Sequence, residues 1–122
     1  MDETRLGAVE ARFADIIWQN APLSSGELVK LCAEKLEWKK STTYTVLKKL
    51  CERGIFQNQG GIVTPLLSRQ DFYARQSQRF VRDTFDGSLP AFINAFVSGR
   101  KLSHRDLEDI RKMLDQFDKE DE

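Results

Sequence analysis

The sequence has one histidine and two cysteines in 122 residues, and each scarcity removes a class of chemistry. With His104 alone, a histidine-based metal cage or a histidine-dependent catalytic triad lacks its parts, and His104 reads as a surface residue in the first turn of a helix. Cys32 and Cys51 lie 19 positions apart with no CxxC pair and no neighbouring histidine, so they read as half-buried structural thiols. Long apolar runs are missing as well, since none approaches the roughly 20 residues that span a bilayer. The start, Met1-Asp2-Glu3-Thr4-Arg5, lacks the basic and apolar regions of a secretory signal. A cytoplasmic protein with no membrane insertion and no cofactor or metal is therefore expected.

Net charge is also absent, at +0, but the average hides an asymmetry. Residues 37–53 carry Lys39, Lys40, Lys48, Lys49 and Arg53 against Glu37 and Glu52, a local charge of +3, whereas residues 103–122 carry −4. Local sign decides where a polyanion docks, so neutrality does not exclude nucleic acid. The balance of 40% hydrophobic and 31% charged residues is that of a folded globular chain rather than a disordered one.

Helical periodicity dominates what is present. Val9, Phe13, Ile16 and Ile17 form one stripe and predict a helix over about 7–19, ended by Asn20-Ala21-Pro22. Ser24 and Glu27 have capping-box spacing and open a second helix with Leu28, Leu31 and Cys32 inward. Ser41 is the expected N-cap of a third helix over about 41–53, with Thr43, Val46, Leu47 and Leu50 inward and Gly54 beyond its end. Ile55-Phe56-Gln57 and Ile62-Val63-Thr64 flank Gly60-Gly61, a hairpin signal. Helix, helix, helix, hairpin is the order of a winged helix-turn-helix.

The second half reads as helix throughout. Ser68 with Asp71 caps one helix, and Asp86-Gly87-Ser88 breaks it. Leu89, Phe92, Ile93, Phe96 and Val97 mark a short apolar helix, and Ser103 caps the last, with frayed residues expected at 118–122. The expected fold class is mainly α: a winged helix over 1–68 with a two-stranded β wing, then a helical dimerisation domain over 69–122.

At 100° per residue, Ser41, Thr45, Lys48 and Glu52 point away from the inward face of the third helix, with Thr42, Tyr44 and Lys49 on its flanks. Hydroxyls and free N–H groups at a helix N-terminus hold phosphate oxygens, threonine methyls meet thymine methyls, and lysines release counterions. Lys39, Lys40 and Lys48 supply that last term. The wing adds no Lys or Arg from Gly54 to Leu67. Its Gln57, Asn58 and Gln59 neutralise no phosphate and are expected to add little affinity.

Residues 69–122 are too few for a core of their own, yet they carry Phe72, Phe80, Phe85, Leu89, Phe92, Ile93, Phe96, Leu107, Ile110, Leu114 and Phe117; of these, Phe80, Leu89, Phe92, Ile93, Phe96, Leu107, Ile110, Leu114 and Phe117 are the expected interface. Left single, these would form a large exposed patch, so a homodimer interface is the expected use. A two-fold dimer presents two reading helices about 34 Å apart to successive major grooves. With ~4 phosphate contacts per protomer, the salt slope of binding would approach about −7.

Five stretches together resemble the penicillinase repressor family over almost the whole chain. They are Leu6 to Trp18 (ending Ile16-Ile17-Trp18), Trp38 to Leu50, Thr64 to Arg69, Phe85 to Phe92 and Leu102 to Leu107; the second is the most specific. The resemblance implies a homodimeric transcriptional repressor of an inverted-repeat DNA operator. Its contacts, carried over by match, are Lys40, Ser41, Thr42, Tyr44, Thr45 and Lys48. It also implies, as partner, a membrane sensor protease that signals cleavage between an Asn and a Phe in the dimerisation region. The matching position is Ala95-Phe96, where the Asn is replaced and Asn94 lies one place earlier, a departure from the family's pattern. The cysteine pairs of the family's copper-sensing branch have no counterpart after Cys51.

Two other functions compete with this reading. A winged helix reused as a protein-interaction module is the alternative that the acidic tail and uncharged wing would suit. An enzyme is remote, because carboxylates such as Asp106 and Asp109 fit a solvated helix face and no pocket-forming motif accompanies them.

Overall fold

The computed structural model describes residues 5–120; the remainder of the opening pentapeptide and the end of the tail lie outside this range. Helix α1 (Ala8–Asn20) buries Phe13, Ala14, Ile16 and Ile17. Val9, expected on the same stripe, is exposed at the second position of the helix. Strand β1 (Leu23–Ser24) leads directly into α2 (Ser25–Leu36), whose first turn is capped by the Ser24 hydroxyl accepting from the Glu27 N–H at 3.0 Å.

Helix α3 (Lys40–Glu52) starts earlier than its sequence suggests. Lys39, not Ser41, is the N-cap, and its side chain makes no capping bond. Its carbonyl instead accepts from both the N–H and the hydroxyl of Thr43, at 3.1 and 3.2 Å. At the other end Gly54 adopts φ +79°, which lets the Ile55 N–H turn back to the Leu50 carbonyl at 3.1 Å.

The wing is β2 (Phe56–Gln59) and β3 (Ile62–Pro65), paired antiparallel with Asn58 opposite Val63. Gly60 and Gly61 at its tip both have positive φ, as a two-residue hairpin of this hand requires. β1 adds a third strand on the far side of β3, with Leu23 opposite Val63, giving the order β1-β3-β2. Two residues are too short to show an alternating pattern, so β1 had no sequence signal.

Helix α4 (Arg69–Phe85) begins on the Ser68 hydroxyl, which accepts from the Asp71 N–H. Phe72, expected among the apolar side chains that need a partner chain, is instead buried in the same core as α1 to α3 and the sheet, because the first turn of α4 packs there. Trp18 packs at 5.3–6.0 Å from the rings of Phe56, Phe72 and Tyr73 and donates its indole N–H to the Leu67 carbonyl at 2.9 Å. On the other side of α1, Trp38 stacks on Phe13 with ring centroids 5.4 Å apart. The chain divides into two compact units, one ending at Phe80 and one beginning at Val81.

The second unit holds the end of α4, α5 (Leu89–Val97) and α6 (His104–Glu120). Ser88 and Ser103 cap the last two through the Ala91 and Asp106 N–H groups. Phe85 and Phe92 meet edge to face at 5.6 Å, but no residue of α5 or α6 is fully buried. Helix α6 runs on through residues 118–120 of the tail expected to fray; the last two positions lie outside the described residues.

Candidate nucleic-acid interface

The inward side of α3 is fixed by Thr43, Leu47 and Leu50, all buried. That anchoring leaves Ser41, Thr42, Tyr44, Thr45 and Lys48 exposed, with Lys39 and Lys40 exposed at the helix start. The structure thus brings every residue of the expected DNA-contact set onto one end and one outer face of a single helix. The missing side-chain cap has a consequence: the first-turn N–H groups of α3 stay available to an outside acceptor such as a phosphate oxygen.

The exposed groups are less equivalent than the sequence suggested. Thr45 donates its hydroxyl to the Ser41 carbonyl at 2.9 Å. Its only donor is used there, so it offers a ligand a methyl group and acceptor lone pairs. Tyr44 donates to the Ser25 hydroxyl at 3.1 Å, and the Ser25 N–H donates to the Gly61 carbonyl at 2.8 Å. A phenol on α3, the start of α2 and the wing tip are thereby joined. Neither link has a sequence signature, because the partners are 19 and 36 positions apart.

The cations also divide into two groups. Lys49 pairs with Glu10 at 3.1 Å, and Arg53 approaches the same carboxylate oxygen at 4.0 Å and donates to the Arg5 carbonyl. Burial pushes the Glu10 carboxyl up, but the Gly7 N–H, Lys49 and Arg53 outweigh it, and the group ends below its ordinary value. Lys39, Lys40 and Lys48 make no ion pair among the described residues. They are the cations of this segment that a polyanion meets uncompensated.

Between α3 and the wing lies a shallow hollow of about 210 Å³ lined by Tyr44, Leu47, Lys48, Cys51 and Asn58. Its floor is apolar and Lys48 stands at its edge. Asn58 and Gln59 are exposed, whereas Gln57 donates to the Thr64 hydroxyl at 3.0 Å, so only part of the polar wing faces outward. The thiols are held protonated: burial pushes Cys32 up against a smaller lowering by Thr43, and burial together with the Glu52 charge pushes Cys51 up. No cluster of metal-ligating side chains occurs among the described residues, and none of their helices is long and apolar enough to cross a membrane.

In the second unit, Leu89, Ile93, Phe96, Leu107, Ile110, Leu114 and Phe117 are exposed, Phe117 at 61%. Phe80, at the end of the first unit, is exposed too, and Phe92 is half-buried between Phe85 and Phe96. Met113 shares the exposed surface of α6 and was missed because it lies off the 3, 4, 3 spacing of Leu107, Ile110, Leu114 and Phe117. Ala95 and Phe96 are exposed within α5.

Comparison with known proteins agrees with this architecture. The sequence pattern described as "Penicillinase repressor" matches residues 6–116. The chain is similar to the methicillin resistance regulatory protein MecI of Staphylococcus aureus strain Mu50, with 21% identity over 91% of this chain and 94% of the relative. The MecI of Staphylococcus epidermidis is 20% identical over the same shares.

Proposed function

The chain belongs to the penicillinase repressor family, a family of transcriptional repressors, and from that premise we propose that it acts as a homodimer on an inverted-repeat DNA operator. The observation that carries this reading is the outer side of α3. Its inner face is locked into the core, while its uncapped start, its short hydroxyl side chains and three uncompensated lysines all point outward. Those lysines and the first-turn N–H groups position a duplex by its phosphates. Thr45, Thr42 and Ser41 then meet base edges in the major groove, with the Thr45 methyl suited to thymine. Lys39, Lys40 and Lys48 on each of two protomers make about six phosphate contacts, a salt slope near −5.

Homodimerisation supplies the second reader and covers the apolar side chains of α5 and α6. A unit without one buried residue in those helices gains its stability from a partner surface. The domain division we favour is functional: a winged helix over 1–68 that reads DNA and helices over 69–122 that pair.

For induction, the membrane sensor protease implied by the family would meet Ala95-Phe96 in helical α5. Proteases bind extended chain, so cleavage there needs local unwinding, and the family's Asn is replaced by Ala95. Restoring it with Ala95→Asn should raise cleavage by a sensor protease in co-expression; equal cleavage of both forms removes Ala95 as the control point.

Anisotropy titration of a labelled duplex from the chain's own promoter region tests the main reading. Saturable binding that weakens steeply with salt is expected. If dimeric protein binds no duplex at low salt, the protein-interaction module becomes the better account.

A further inference from the structure

We propose that Glu10 is a positioning residue that withdraws Lys49 from duplex DNA and so limits sequence-independent binding. The inference rests on the DNA-binding reading above. Lys48 and Lys49 are neighbours in sequence but stand about 100° apart around α3. Lys48 is on the flank that faces the wing, and Lys49 is on the flank that faces α1. The Lys49 side chain is 50% exposed, so its ammonium group is within reach of an approaching phosphate.

Glu10 takes that ammonium first. Its Oε2 lies 3.1 Å from Lys49 Nζ and is sealed from solvent. Its Oε1 accepts from the Gly7 N–H at 3.2 Å, at the start of α1, where the helix dipole favours an anion. The Gly7 N–H on one oxygen and the Lys49 and Arg53 charges near the other favour this placement of the carboxylate when a phosphate arrives. A phosphate on this flank must share Lys49 with a fixed negative charge. Lys48, with no such competitor, is open to it. One flank of α3 therefore grips a backbone and the other does not. Sequence-independent affinity comes almost wholly from neutralised phosphates, so removing one cation per protomer lowers it.

The test uses the full-length dimer and a labelled duplex of unrelated sequence, titrated across a salt series. Glu10→Gln keeps the side-chain shape and an acceptor for Gly7 while removing the charge. It should tighten binding by roughly an order of magnitude per protomer near 0.1 M salt and steepen the slope by about 0.9 per protomer. The double variant Glu10→Gln with Lys49→Gln should return the slope to that of the unmodified protein. A purely structural role for Glu10 would lower the melting temperature without steepening the slope, and that result overturns the proposal. If the Gln variant does not fold, Lys49→Gln alone decides. An unchanged slope supports a lysine already compensated, and a slope shallower by about 0.9 per protomer overturns it. Failure of the unmodified protein to bind any duplex would instead refute the DNA-binding reading, and this inference with it.

Discussion

At the scale of the residue, the proposed DNA-binding role gives Thr45 and Lys48 different jobs on one helix face. Lys48→Ala should weaken binding to all duplexes and flatten the salt slope by about one unit per protomer. Thr45→Ala should change the ranking of operator variants with little effect on the slope; if both variants bind every sequence like the unmodified protein, α3 is not the reader. Glu10 links this face to acid stability. Its carboxyl is depressed in the folded state, so its contribution is present above the unfolded value of about 4.3 and is lost as pH falls through the lower folded value. The melting temperature should therefore fall more steeply with acid below about pH 5 in the unmodified protein than in Glu10→Gln. The outward set on α3 was legible in the sequence from its 100° spacing alone. The committed donors of Tyr44 and Thr45 and the Glu10 pair were not, because they depend on which distant side chains the fold brings within 3–4 Å.

Among the elements, what could be read in advance was what short-range chemistry determines. Ser24, Ser68 and Ser103 cap the helices they precede, and Gly60-Gly61 turns the wing. Ser24→Ala should cost about 1 kcal/mol in a denaturant melt, since it strips the Glu27 N–H of its acceptor. A loss indistinguishable from zero would mean that water replaces the cap without penalty. The start of α3 misled because a serine two places inside a helix looks like a cap, while Lys39 caps by its backbone only. β1 was invisible for a different reason: it exists only because β3 offers it an edge.

The molecule as a whole keeps its core in the first unit and most of its exposed large apolar side chains in the second. Phe13, Phe56 and Phe72 are fully buried in the first, whereas Phe96 is 57% exposed in the second. The composition of residues 69–122 foreshadowed that contrast; the placement of Phe72 with the first unit did not, since a helix carries no mark of where its packing partner changes. Phe96→Asp should leave the winged helix folded and convert the protein to a monomer by light scattering. A dimer that persists at micromolar concentration would exclude Phe96 from the interface.

Both tryptophans, Trp18 and Trp38, are packed among the rings of the winged-helix unit, and the sequence has no other. Indole emission is therefore a spectroscopic voice for the first compact unit alone. Heating should quench it when that unit melts, whereas, in the homodimer proposed above, dilution that parts the two protomers should leave its wavelength unmoved while the scattered mass halves. In that proposed dimer, the two indoles tell loss of fold from loss of partner.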